Sequence, residues 1–296
     1  GGRLPMVATL LVTALAGCHL TGLDGTVSRS LVTSRQLSQQ GVAALERGQY
    51  EHADEVLAQA VRACPSNAEA HRNYAEARWN RGFREEALKE IETARRLAPD
   101  NASILTRIAE MRLDQGQTDE ARKAAQQAIA LDGKYASAWS VRARVMRAAG
   151  NSAQALADYY RALSLSPDDR KIPCEVAALY LEQNQPQRAL VAIQGLADKY
   201  SPGDEPQEIL YYQGLAYLGL ERYGDAAVSL SAAAQRDQPT AEILFRLAQA
   251  ECLGGRIAEG RAAAEQSLAI NPNHQPARAL LAQTQLARQT DAPQRR

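Results

Sequence analysis

Aromatic side chains are scarce in this 296-residue sequence, and neither sign of charge is in excess. Phe, Trp and Tyr together make up 5% of the residues, whereas hydrophobic residues of all kinds make up 45%. Because 34 basic side chains balance 34 acidic ones, no net field would draw the chain to nucleic acid. The heavy use of alanine favours helices packed closely against one another, so we predict an all-α protein without a nucleic-acid partner.

The sequence also lacks the motifs that carry catalysis, cofactor binding or metal binding. The four histidines, His19, His52, His71 and His274, form no HExxH pair, and no two cysteines have CxxC spacing. There is no GxxxxGK[ST] phosphate loop, no GxGxxG after a strand and no GxSxG turn. We therefore predict that the protein is not an enzyme and has no metal, cofactor or small-molecule substrate; an enzyme with an unrecognised site is the alternative.

No apolar run is long enough to cross a bilayer, which takes roughly 20 residues. The run from Met6 to Ala16 follows a single basic residue, Arg3, and ends in Leu15-Ala16-Gly17-Cys18. This tetrapeptide resembles the bacterial lipobox. The resemblance implies that residues 1–17 are a lipoprotein signal peptide and that Cys18 is the lipid attachment site, carrying diacylglyceryl and acyl chains such as palmitate.

The residues after Cys18 bear on where the protein lies. In the lipoproteins that this start resembles, an aspartate after the cysteine favours the inner membrane, and here the residue is His19. The resemblance therefore implies a cell-envelope protein on the periplasmic face of the outer membrane, in contact with the membrane through its lipid anchor only. Residues 18–33 lack helical periodicity, and we predict a flexible tether there. The alternative is that Cys18 is an ordinary apolar residue.

An internal period of 34 residues runs through the rest of the chain. It is marked by three kinds of residue that turn, bring together or end helices. The positions that keep it are Gly48, Gly82, Gly116 and Gly150; Ala53, Ala87, Ala121, Ala155 and Ala189; and Pro65, Pro99 and Pro167. Three independent markers with one spacing predict a tandem repeat.

The clearest unit, residues 68–101, resembles the tetratricopeptide repeat. Ala75 and Ala87 are the small residues where its two helices would touch, Gly82 forms the turn, and Pro99 ends the second helix. The resemblance implies a right-handed superhelical solenoid of about seven helical hairpins, followed by a C-terminal capping helix.

The same register sets the predicted boundaries. The units begin near Ser34, Ala68, Ala102, Ala136, Arg170, Gln207 and Ala241. Residues 34–200 would form repeats 1–5, residues 201–206 a loop, and residues 207–288 repeats 6–7 with the capping helix, which has Leu281 and Ala282 at core sites. Residues 289–296 read as a disordered tail. Pro173 predicts a shortened or tilted fifth repeat, and the loop is expected to divide the array into two blocks.

The resemblance also implies a groove that binds other proteins, lined by positions 2, 5, 9, 12 and 13 of each unit. In repeats 2–4 the predicted partner-binding residues are polar apart from one tryptophan: Arg72, Glu76, Trp79, Asn80, Glu110, Arg144 and Arg147. In repeats 6 and 7 they are mostly apolar: Tyr211, Leu215, Leu218, Phe245 and Gln249. The apolar set is the sharper candidate because solvent exposure would favour polar residues there, although burial as core is an equal alternative.

Three cysteines remain beyond Cys18, and the register puts Cys64, Cys174 and Cys252 on distant helices, so we predict buried free thiols. For the whole chain we predict a lipid-anchored scaffold or adaptor that assists assembly of an envelope or secretion complex. The alternative is a scaffold for exopolysaccharide export that binds glycan or its synthesis machinery.

Overall fold

The structure, a computed structural model, describes the backbone of residues 21–290 and the side chains of residues 29–285. Within these limits the chain forms fifteen α-helices and no strand. The predicted signal peptide, Cys18 and residues 291–296 of the predicted tail lie outside the described residues. None of the helices in residues 21–290 combines the length and the apolarity needed to cross a membrane.

The helices pair into seven hairpins, each with a first and a second helix, and a closing helix follows. This confirms the predicted all-α repeat fold for the described residues. The hairpins are α1 Thr21–Glu46 and α2 Tyr50–Ala63; α3 Ala68–Asn80 and α4 Arg84–Leu97; α5 Ala102–Asp114 and α6 Thr118–Leu131; α7 Ala136–Ala148 and α8 Ser152–Leu165; α9 Lys171–Glu182 and α10 Pro186–Ala197; α11 Gln207–Gly219 and α12 Tyr223–Arg236; α13 Ala241–Leu253 and α14 Ile257–Ile270, before α15 Gln275–Thr290.

The turn inside each hairpin has one backbone conformation. Gly82 has a φ of 86°, in the left-handed region, and the amide of Phe83 donates to the carbonyl of Arg78 across it. Glycine reaches this region without strain, which explains why glycine recurs at this turn position with the 34-residue period. The register imposes the same conformation on two residues that are not glycine, Asn184 and Glu221, with φ values of 54° and 59°.

Small residues bring the two helices of a hairpin together. The alanines of the second helices that mark the repeat, among them Ala87 and Ala155, have no exposed surface, and neither does Ala75 of a first helix. In the last hairpin a glycine, Gly260, takes this place; a Cβ there would lie 2.9 Å from the carbonyl oxygen of Ala248. Backbones that approach this closely leave no room for a larger side chain.

By its contacts the chain divides into two compact units, the first ending at Ile104 and the second beginning at Leu105. In the first unit α1 packs on α2, α2 on α3 and α3 on α4. In the second unit consecutive helices pack on one another from α6 to α15. The loop at residues 201–206 lies inside the second unit, where α10 and α11 contact each other directly.

Repeat five is shortened, as Pro173 predicts. Its two helices have 12 residues each, whereas the second helices of the other repeats have 14. Pro173 is the third residue of α9, where it has no helical hydrogen bond to lose. Two hydrogen bonds fix the ends of the long connection to repeat six. Lys199 donates to the carbonyl of Pro167 at 2.9 Å, and Gln207 donates to the carbonyl of Ala233 at 3.0 Å.

The predicted tether is wrong from Thr21 onward, because α1 begins there and continues to Glu46. The later part of this helix is packed against α2, and the hydroxyl of Ser34 donates to the carbonyl of Ala60 at 2.8 Å. Once a helix is nucleated, each added residue costs little, so it extends past the repeat boundary into a sequence without an apolar period.

The closing helix also differs in detail from the prediction. Ala282 is exposed and Leu281 half-buried, whereas Ala277 and Thr284 are buried. Positions 277, 281 and 284 follow the spacing of one helix face, and Ala282 lies outside that face. The helix ends at Thr290, so the first two residues assigned to a disordered tail are helical.

A buried histidine joins the second helix of repeat two to the turn before its first helix. His71 is 7% exposed; its Nδ1 lies 2.6 Å from Glu90 and its Nε2 lies 3.0 Å from the carbonyl oxygen of Pro65. The hydrogen bond with Glu90 raises the pKa of His71 above its ordinary value, against the opposing effect of burial. Both ring nitrogens face acceptors, so the doubly protonated ring satisfies the site.

This geometry predicts a pH-dependent stability. Because the pKa of His71 is higher in the folded than in the unfolded chain, its contribution is fully present below the unfolded pKa of 6.5 and is lost as pH rises through the folded value. Urea unfolding between about pH 6 and pH 8.5 should therefore show a loss of stability that shrinks in His71→Gln and in Glu90→Gln. An equal loss in the parent and both variants would contradict this.

Candidate protein-binding surface

The first helices of successive repeats lie against one another. In the first unit α1 contacts α3, and in the second unit α9 contacts α11, α11 contacts α13, and α13 contacts α15. Residues of these helices therefore share, within each unit, a surface that crosses repeat boundaries, and we call it the first-helix face of that unit. The predicted partner-binding residues all belong to first helices.

An open groove lies on the first-helix face of repeats five to seven. Its volume is about 480 Å³, and its apolar walls come from three successive first helices. The residues that form these walls are Leu181 of α9, Leu215 and Leu218 of α11, and Leu253 of α13. We call this the leucine groove.

Polar groups also line the leucine groove. Gln249 and Arg246 both line it, and the Arg246 guanidinium donates to Gln249 Oε1 at 3.2 Å and to Glu242 at 2.6 Å. Glu221, from the turn of repeat six, also lines the groove. Apolar walls beside oriented polar groups are the usual composition of a surface that binds a peptide or a helix.

Two of the predicted apolar residues lie elsewhere on this face. Tyr211 packs on the alanine and leucine core of repeats six and seven, and its ring meets that of Tyr212 edge-on at 5.4 Å. Burial raises the pKa of Tyr211. Phe245 lies 5.3 Å from the ring of His274 and 5.2 Å from the Arg246 guanidinium. Both are half-buried by neighbours, so the structure brings together Leu215, Leu218 and Gln249 but not the aromatic pair.

The polar residues of repeats three and four are held by ion pairs within the protein. Arg144 lies 3.7 Å from Glu110 and 3.6 Å from Asp114, and Glu110 also pairs with Arg107 at 2.9 Å. These contacts run between α5 and α7. A partner that used Glu110 or Arg144 would have to replace an existing pair, which reduces any gain in affinity.

Arg147 is bound more tightly than Arg144. Its guanidinium lies 2.8 Å from Glu175, and its Nε donates to Glu182 at 3.0 Å. The hydrogen bond to Glu182 is the main cause that raises the pKa of Arg147. The buried Tyr159 hydroxyl also donates to Glu175 at 3.4 Å. Glu208 lies near the same carboxylate, and its own burial together with the charge of Glu175 raises the pKa of Glu208. Arg147 thus joins repeats four and five.

The predicted residues of repeat two are divided between core and surface. Trp79 is 7% exposed, and the Arg84 guanidinium lies 4.0 Å from its ring, so the structure places it in the core. Asn80 is exposed and donates to the carbonyl of Glu76 at 2.9 Å. Arg72 is half-buried and contacts Asn73 at 3.4 Å. Of the four predicted residues of repeat two, Arg72, Glu76 and Asn80 present polar surface.

Some groove residues were missed by the sequence analysis. Leu181 stands at position 12 of repeat five and Leu253 at position 13 of repeat seven, so the spacing used for the other candidates would have found both. Arg246, Glu221 and Tyr223 lie at positions without such a signal, and only packing brings them to the groove.

The described cysteines do not form a reactive site. Cys64, Cys174 and Cys252 are free thiols, and the prediction of burial is confirmed for the first two, whereas Cys252 is half-buried. Burial raises the pKa of Cys174 to about 12, so the nucleophilic thiolate is scarce at neutral pH. Within residues 29–285 no three His, Cys, Asp or Glu side chains are close enough to hold a metal ion.

Comparison with known families agrees with the repeat register. The model of a family described as tetratricopeptide repeat matches residues 38–102, 75–132, 106–170, 177–239 and 211–276. Apart from a gap at residues 171–176 these segments overlap, and together they span most of the chain. A search by sequence found no match among curated proteins.

Solved structures of similar fold have low sequence identity to this chain. A tetratricopeptide repeat protein from Parabacteroides merdae has a TM-score of 0.64 and 16% identity, over 86% of this chain and 99% of that one. The APC/C hetero-tetramer Cut9-Hcn1 has a TM-score of 0.69 and 17% identity, over 83% and 48%. Pseudomonas aeruginosa pilF has a TM-score of 0.55 and 17% identity, over 86% and 99%. At such identities these likenesses show the fold alone.

Proposed function

Because the chain belongs to the tetratricopeptide repeat family, whose fold serves to bind other proteins, we propose that it is a non-enzymatic adaptor that holds a partner protein in the leucine groove. The observation that supports this is the set of four leucines from three first helices at an open surface. Leu253 is 52% exposed. Together with the other three leucines it forms an apolar surface, and such surfaces mark sites where proteins bind partners. The occupant would be an extended or helical segment with apolar side chains.

The leucine groove favours a protein over a glycan as the partner. Glycans are recognised largely by hydrogen bonds to their hydroxyl groups, whereas the four leucines of this groove match the apolar side chains of a protein segment. Two of its polar side chains, Arg246 and Gln249, are hydrogen-bonded to each other, and Arg246 also binds Glu242 outside the groove.

Substitutions at the groove test the proposal. Leu253→Asp combined with Leu215→Asn should abolish capture of the partner, because each change puts a polar group where an apolar contact forms. The measurement is affinity capture from native membranes, followed by mass spectrometry. Val228→Asp is the matched control, since Val228 is 72% exposed on the second helix of repeat six and outside the groove.

The control should keep the same partners as the parent, and circular dichroism should show similar thermal unfolding for all three proteins. A protein set captured equally by the groove variant and the parent would contradict the proposal. So would a parent that enriches no protein but retains purified glycan.

We also propose that the adaptor acts at the bacterial cell envelope, where it would assist an assembly or secretion complex. The support is the lipobox resemblance of residues 15–18 together with His19 at the following position. Several acyl chains on Cys18 would hold the repeats at the membrane surface, since each buried methylene contributes about 0.8 kcal/mol. The repeats would then present the leucine groove to proteins at that membrane.

Replacing the modified cysteine tests this location. Cys18→Ser, expressed in a bacterium from a gene with its full signal sequence, should move the protein from the membrane fraction to the soluble fraction, because a serine has no thiol to carry the lipid. Fractionation and immunoblotting measure this, with Cys252→Ser as the control that should stay with the membrane. Retention of Cys18→Ser in the membrane pellet would contradict lipid anchoring.

A further inference from the structure

A second cavity lies between α8, α9 and α10, in repeats four and five. Its volume is about 320 Å³, and none of its lining residues belongs to the leucine groove. The walls are mostly apolar, with Leu163 from α8, Pro173 and Val176 from α9, and Leu196 from α10. We call it the repeat-five cleft.

The cleft lies where repeat five departs from the regular unit. Its helices are shorter than those of its neighbours, and α10 has a glycine, Gly195, where the preceding repeat has Arg161 in the 34-residue register. A Cβ built on Gly195 would meet no atom within 4 Å. Since Gly195 lines the cleft, the space beside it is open to a ligand.

One cation stands at the edge of the cleft. The Lys199 ammonium donates to the carbonyl of Pro167 at 2.9 Å and lies 3.6 Å from the carboxylate of Asp168. An ammonium group has three donors, and the Asp168 side chain is fully exposed, so water weakens this pair. An anion arriving at the cleft could compete with Asp168 for Lys199.

We propose that the repeat-five cleft binds a single-chain fatty acid, with its alkyl chain among the apolar walls and its carboxylate on Lys199. The volume lies at the lower end of small-ligand pockets, which suits one chain and excludes the two chains of a phospholipid. Among the residues that line the cleft Lys199 is the one cation, and it matches a single negative charge. This inference is independent of the proposed function, since the cleft and the leucine groove share no residue.

Filling the cleft tests the alkyl site. Isothermal titration of the full chain with dodecanoate, below its micelle concentration, should show one site per chain. Gly195→Leu should weaken binding by roughly tenfold or more, because the new side chain occupies the space. This variant should remain folded, since it replaces a helical glycine with a better helix former at an open position. Gly224→Leu, the same change at another open helical position, should bind as the parent does.

Two further variants test the carboxylate site. Lys199→Met should weaken dodecanoate by about two- to fivefold and leave dodecanol unchanged, whereas Asp168→Asn should strengthen dodecanoate. Equal affinity for dodecanoate in the parent and Gly195→Leu would overturn the proposal. Dodecanol bound as tightly as dodecanoate, or association with phosphatidylcholine vesicles in place of free dodecanoate, would also overturn it.

Discussion

The close contact between the two helices of each hairpin is the constraint on which the rest of this structure depends. Small residues such as Ala75 and Ala87 are completely buried where the helices meet, and at Gly260 even a methyl group has no room. This contact fixes the relative position of paired helices. Because it recurs in repeats five to seven at Ala189, Ala226 and Gly260, the first helices of these repeats present side chains to a common face, and the leucine groove follows from that arrangement.

Most of the fold was predictable because this contact and the turn beside it need particular residues. The glycine and alanine markers predicted the seven hairpins, and the register even fixed the turn conformation at Asn184 and Glu221, which lack the glycine signal. The start of α1 at Thr21 and the exposure of Ala282 were not predictable from periodicity. The start of α1 depends on how far a packed helix extends, and the exposure of Ala282 depends on which face of α15 packs on the preceding repeat. Tertiary packing decides both.

The candidate site was predictable only in part. Leu215, Leu218 and Gln249 stand at repeat positions expected to face one surface, and all three line the leucine groove, because backbone register sets their direction. The same positions did not reveal that Trp79 is covered or that Arg147 is bound by Glu175 and Glu182. Such contacts depend on side-chain conformations across neighbouring repeats. Irregularities such as the glycine in α10 carry independent information, since this residue lines the repeat-five cleft.

The central claim is that a partner protein occupies the leucine groove, and site-specific photo-crosslinking in cells tests it most directly. A photoreactive residue would replace Gln249 in the groove or, in a separate protein, Val228 on a second helix. The account predicts a discrete crosslinked protein from position 249 and none from position 228. Crosslinks of equal yield to the same protein from both positions, or from position 228 alone, would contradict it.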